Sequence, residues 1–61
     1  MNFRIFLNCD NAAFDDYGHD EIARILTDLA GKIAGAEELP EYLTLMDRNG
    51  NSVGRATFSE E

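Results

Sequence analysis

The sequence holds one cysteine, one proline and no tryptophan, and only five lysines and arginines stand against twelve aspartates and glutamates. A lone cysteine, Cys9, excludes an intramolecular disulfide, so the core is not stapled covalently and a reduced, cytosolic setting is expected. No long apolar run is present either. The opening segment Met1-Asn2-Phe3-Arg4-Ile5-Phe6-Leu7-Asn8 is interrupted too quickly for a signal peptide or a membrane span. Scarcity of positive charge excludes more: at a net charge of -7 the chain repels DNA, RNA and anionic lipid surfaces, while attracting basic proteins. With 61 residues there is room for one domain (1-61), and a chain this short hides only roughly 60% of the surface its unfolded form exposes. A deep, dry catalytic cleft is not expected.

What is present is patterned. Residues 2–8 alternate, with Phe3, Ile5 and Leu7 on one face and Arg4, Phe6 and Asn8 on the other, the period of a half-buried strand. From about residue 18 the period changes to that of a helix. Ile22, Ile25, Leu26, Leu29 and Ile33 fall within one stripe about 100° wide. Asp16 or Gly18 is the expected helix start, with Asp20 and Glu21 in the first turn, and Gly35 the expected left-handed stop.

A second strand is expected over 41–46 and a third over 52–58, joined by a two-residue Asn49-Gly50 turn, both of whose residues tolerate positive φ. That turn pairs Leu45 with Gly54, Leu43 with Ala56, Thr44 with Arg55 and Met46 with Val53. A one-residue slip would set a leucine against Arg55, so polarity selects the first register. The expected core face is Phe3, Ile5, Leu7, Leu43, Leu45, Ala56 and Phe58. The fold class is therefore α+β, in the order β-α-β-β: a three-stranded, mostly antiparallel sheet with one helix packed on one face. Small Gly54 and Ala56 would let the helix sit close, which favours the third strand as the central one.

Two surfaces stand out. The open sheet face carries Phe6, Tyr42, Met46 and Val53 among Arg4, Thr44, Arg55 and Thr57, an apolar patch suited to self-association, including a homodimer, or to a partner. The second surface is acidic. Asp10, Asp15 and Asp16, with Asp47, are expected at one end of the helix. Glu37, Glu38 and Glu41 gather at the other, near Glu60 and Glu61, roughly 24 Å away for a helix of about 16 residues. Carboxylates held at such intervals on a rigid body can occupy a groove built for DNA phosphates. Acidity also keeps a small protein soluble, so both readings stand at this point.

Metal and enzyme chemistry find little support. A structural zinc site needs four Cys or His ligands, and Cys9 and His19 are the only ones here. Asp47-Arg48-Asn49-Gly50-Asn51 has the look of a calcium loop, but Ser52 and Phe58 stand where that loop needs glycine and glutamate. A Cys9–His19 nucleophile pair would need an orienting third group and an oxyanion site, and nothing specifies either. No catalytic residue, metal or cofactor is expected.

The segments Asp10-Asn11-Ala12-Ala13-Phe14, Glu21-Ile22-Ala23-Arg24-Ile25-Leu26 and Asp47-x-Asn49-Gly50-Asn51-x-Val53-Gly54 resemble short uncharacterised proteins encoded by bacteriophages and prophages. The resemblance spans most of the chain, and its motifs are structural, bringing no catalytic residues with them. Residues 35–40 and their glutamates lie outside that pattern. In size, charge and implied origin the chain is also similar in kind to anti-CRISPR proteins, several of which act as nucleic-acid mimics. The resemblance implies phage or mobile-element origin and, joined to the acidic surface, favours a non-catalytic protein in the cytoplasm of a bacterial host that inhibits a basic nucleic-acid-binding protein such as a CRISPR or restriction effector. Asp10, Asp15, Asp16, Glu37, Glu38 and Glu41 would carry the contact. The alternative is a structural or regulatory module working through Phe6, Tyr42, Met46 and Val53.

Overall fold

The computed structural model describes residues 1–60. Strand β1 (Asn2–Leu7) leads through a 3₁₀ turn (Ala12–Phe14) into helix α1 (Gly18–Gly35), followed by β2 (Tyr42–Met46) and β3 (Ser52–Ser59). The sheet order is β1-β3-β2 with both pairings antiparallel, so β3 is central and the α+β, β-α-β-β arrangement is as the sequence pattern requires. No described helix is long and apolar enough to cross a membrane.

Central placement of β3 follows from its small residues, for a different reason from the one expected. A Cβ on Gly54 would collide with the carbonyl oxygen of Phe6 and lie 3.0 Å from Leu7 Cα. Glycine there lets β1, rather than the helix, approach. Ala56 is fully buried at the centre of a core made by Ala13, Phe14, Ile25, Leu29, Leu45 and Val53. Ile25 and Leu29 come from the apolar stripe of α1, and Ala13 and Phe14 from the 3₁₀ turn, which plugs the end of the core.

Three local expectations are corrected. The hairpin closes through Asp47 N–H to Asn51 O at 2.9 Å and Gly50 N–H to Asp47 O at 3.1 Å, a three-residue connection in which Gly50 alone has positive φ, +83°. The pairing of Leu43, Thr44 and Leu45 is as expected, but Met46 then faces Ser52, leaving Val53 as the extra residue of a β-bulge. Val53 is consequently buried in the core instead of lying on the open face. At the helix ends, α1 starts at Gly18, one of the two expected positions, with Tyr17 at the N-cap making no side-chain bond, but Gly35 is the last helical residue without entering the left-handed region.

The helix also sits off-centre. It packs on β2 and the 3₁₀ turn, leaving Phe3 45% and Ile5 42% exposed on the face meant for the core. Phe3 instead stacks on Phe58, its direct partner across the ladder, with ring centres 4.8 Å apart.

Candidate functional site

Twelve carboxylate side chains of one sequence sort into different physical classes. Asp47 and Glu21 are buried, at 5% and 4% exposure. Asp47 accepts hydrogen bonds from Asn49 N–H and Asn51 N–H at 2.9 and 2.8 Å, and from the Asn11 and Asn51 side-chain amides at 2.8 and 3.2 Å. Burial, the largest influence, pushes its carboxyl up, but the donors of Asn51, Asn11 and Asn49 outweigh it and hold the group below its ordinary value. Asn11 in turn caps the 3₁₀ turn by accepting from Ala13 N–H at 2.9 Å. One carboxylate thus ties the hairpin turn to the segment following β1.

Glu21 performs the matching task from the helix. Both its oxygens take bonds from Arg24, at 2.9 Å each, and Oε2 also accepts Arg48 N–H at 2.7 Å. The Arg24 guanidinium, followed by burial acting in the opposite sense and the Arg48 amide, lowers the Glu21 carboxyl. Arg24 then donates to Met46 O at 3.2 Å and to Asp28 at 3.1 Å, while the Arg48 guanidinium donates to Ala13 O at 2.8 Å. This network latches α1, the turn and the 3₁₀ segment together. Asp47, expected in the first acidic cluster, therefore belongs to the latch and is not available to a partner.

Asp10, Asp15, Asp16, Glu37, Glu38 and Glu41 are all exposed, and none enters an ion pair among the described residues. Asp15 and Asp16 precede the N-cap Tyr17 of α1, and Glu37 and Glu38 follow its C-cap Ala36, so the two groups are separated by an 18-residue helix about 27 Å long. The first group sits where the helix dipole welcomes negative charge. The second sits where the dipole opposes it, with Lys32 the only base in the last turn. Glu38 and Glu41 line an open hollow of about 810 Å³ together with Glu60, Tyr42 and Arg55. Glu61 lies outside the described residues.

The open sheet face is real and partly apolar: Phe6 is 68% exposed, and Tyr42 and Met46 are each 49% exposed. Arg55 lies across the Tyr42 ring, 4.5 Å from its centre, and its ladder partners are Phe6 on one side and Thr44 on the other. A second open hollow of about 560 Å³ runs beside Phe6, Asp10 and Arg55. Val53, expected in this patch, is withdrawn into the core by the bulge.

Sequence reasoning missed the latch, whose only signal was Asn11 and Asp47 flanking turn-like segments. His19 pairs with Asp20 at 3.3 Å on the surface, whereas Cys9 packs against the core. No group of three or more His, Cys, Asp or Glu side chains is placed to hold a metal ion among the described residues. No protein-family model, curated protein or solved structure matches the chain.

Proposed function

We propose that this chain is a non-catalytic binding protein that docks its exposed carboxylates on the cationic nucleic-acid channel of another protein and thereby inhibits it. The partner class is a CRISPR or restriction effector in the cytoplasm of a bacterial host, and the protein is of phage type. The observation that carries the reading is that Asp10, Asp15, Asp16, Glu37, Glu38 and Glu41 form no ion pair among the described residues, while Arg24 and Arg48 bond to other parts of the fold. The position of Glu37 and Glu38 adds weight. They stand against the helix dipole, so local stability does not account for them.

The test is competition. The tagged chain is incubated with host lysate at low salt, and the retained protein is then challenged with duplex DNA. Displacement of the chain by DNA, and loss of capture by Glu37→Lys/Glu38→Lys, are expected. A complex that DNA leaves intact contradicts the reading.

A second reading, an interaction module using the open sheet face, is favoured by the exposure of Phe6, Tyr42 and Met46 around the Arg55–Tyr42 stack. Tyr42→Glu would abolish such an interaction and leave the carboxylate-driven one in place.

A further inference from the structure

The two edges of the sheet are not equally finished. In an antiparallel ladder, alternate residues turn their N–H and C=O groups toward the neighbour and the others turn them outward. On β2, Glu41 O accepts Phe58 N–H at 3.0 Å, so Tyr42, Thr44 and Met46 face outward. Arg24 already covers the Met46 carbonyl. On β1, Asn8 N–H donates to Val53 O at 2.7 Å, which places Asn2, Arg4 and Phe6 on the β3 side and turns the groups of Phe3, Ile5 and Leu7 to the free edge. No described side chain bonds to those outward groups.

Beside this open ladder lies apolar surface on both faces of β1: Phe3 and Ile5 at 45% and 42% exposure on the helix side, and Phe6 at 68% on the other. Helical spacing sets Leu26, itself 40% exposed, on the flank of α1 opposite Arg24 and Asp28, whose flank meets β2. The uncovered strip of the fold therefore runs along β1. Edge strands in stable monomers are ordinarily guarded by charge, proline or a covering element.

We infer that β1 pairs with β1 of a second copy, antiparallel about a two-fold axis at Ile5, joining two three-stranded sheets into one of six strands. The residue pattern is self-complementary in this register. Ile5 meets Ile5 and Phe3 meets Leu7, as hydrogen-bonded pairs that use all the outward groups of the edge. On the opposite face Arg4 meets Phe6 twice, a cation over an aromatic ring. Shifting the axis to Arg4 would place two arginines directly opposite, and shifting it to Phe6 would shorten the ladder. The exposed parts of the two phenylalanine rings come to roughly 200 Å² per copy, taking about 200 Å² for a whole ring side chain, which is the upper limit of ring area that pairing along the edge can cover. With the main chain and Ile5 added, the interface falls at the small end of specific interfaces, the class of weak and reversible association.

This association is independent of the acidic docking proposed above, and salt separates the two. Copies bearing -7 each repel, so added salt strengthens the dimer while it weakens carboxylate docking. Sedimentation equilibrium of the intact chain should show the mass rising from 6.8 kDa toward twice that value between about 1 µM and 1 mM, more readily in 0.5 M than in 0.05 M NaCl. Amide hydrogen exchange on the unmodified protein supplies the register: Phe3, Ile5 and Leu7 should slow at least tenfold with concentration, while Arg4 and Phe6, already bonded to β3, should change far less. Ile5→Lys should remain monomeric throughout, and Tyr42→Glu should still dimerise. A monomer at every concentration overturns the inference. So does a dimer lost in Tyr42→Glu, or one whose formation leaves the three edge amides unprotected.

Discussion

Asp47 and the Asp15–Asp16 pair lie toward the same end of the helix yet do opposite work. Asp47 is enclosed by four donors and closes a turn, whereas Asp15 and Asp16 are exposed and form no ion pair among the described residues. The two ends of α1 repeat the contrast in sharper form: Glu21 inside the first turn is fully engaged, but Glu37 and Glu38 beyond the last turn face an unfavourable dipole. Residue type alone does not assign a carboxylate to stability or to recognition. The assignment comes from whether backbone N–H groups converge on it, because an amide donor has no other acceptor once water is excluded.

Breaking the latch should produce the largest effect. Asp47→Ala strands the Asn49 and Asn51 amides and the Asn11 side chain, and thermal denaturation followed by circular dichroism should show the midpoint falling by roughly 10 °C or more. Glu21→Gln keeps an acceptor for Arg48 N–H but removes the charge opposite Arg24. Its midpoint should fall by about half as much. An Asp47→Ala midpoint equal to that of the native chain would erase the distinction between the two classes.

Acid titration sharpens the same contrast. Both latch carboxyls are lowered in the folded state from ordinary values of 4.5 for Glu21 and 3.8 for Asp47. Their stabilisation is thus fully present above those values and is lost as pH falls through the lower folded ones. The native midpoint should hold between about pH 7 and 5 and drop below about pH 4.5. Glu21→Gln/Asp47→Asn should lose stability less steeply over that range. An acid limb of equal slope in the double variant would locate the pH response elsewhere.

The smallest expected change in stability, and the one of opposite sign, belongs to the outer group. Glu37→Gln/Glu38→Gln removes charge from the negative end of α1 and should raise the midpoint by roughly 2 °C, while weakening partner binding. A variant that loses stability would show these glutamates to be structural after all.

Much of this fold was legible in the chain. Alternation of Phe3, Ile5 and Leu7, the stripe from Ile22 to Ile33 and the polarity test on Leu43, Leu45 and Arg55 yield the helix, the strands and most of the hairpin register. What escaped depends on contacts between residues far apart in the chain. The bonds Asn11–Asp47 and Arg48–Glu21 span 36 and 27 positions, and no periodicity encodes them. The bulge at Val53 follows from a turn one residue longer than Asn49-Gly50 implies, favoured because the Asp47 side chain accepts the Asn49 and Asn51 amides. Alternation likewise tells which face Phe3 and Ile5 occupy, but not that the helix leans toward β2 and leaves them half in water. The six outer carboxylates were legible as candidates, and their freedom from ion pairs follows from the segments 8–21 and 33–47 holding no Lys or Arg.

That freedom is the claim on which the functional account stands, and a salt titration reads it directly. The affinity of the chain for the protein it captures from a bacterial host would be measured from 0.05 to 0.5 M NaCl, beside Asp10→Asn/Asp15→Asn/Asp16→Asn and Glu37→Gln/Glu38→Gln/Glu41→Gln. The account predicts a fall of at least tenfold across that range, with a shallower slope in either or both triple variants. Affinity that ignores salt, or that survives both sets of neutralisations unchanged, would contradict it.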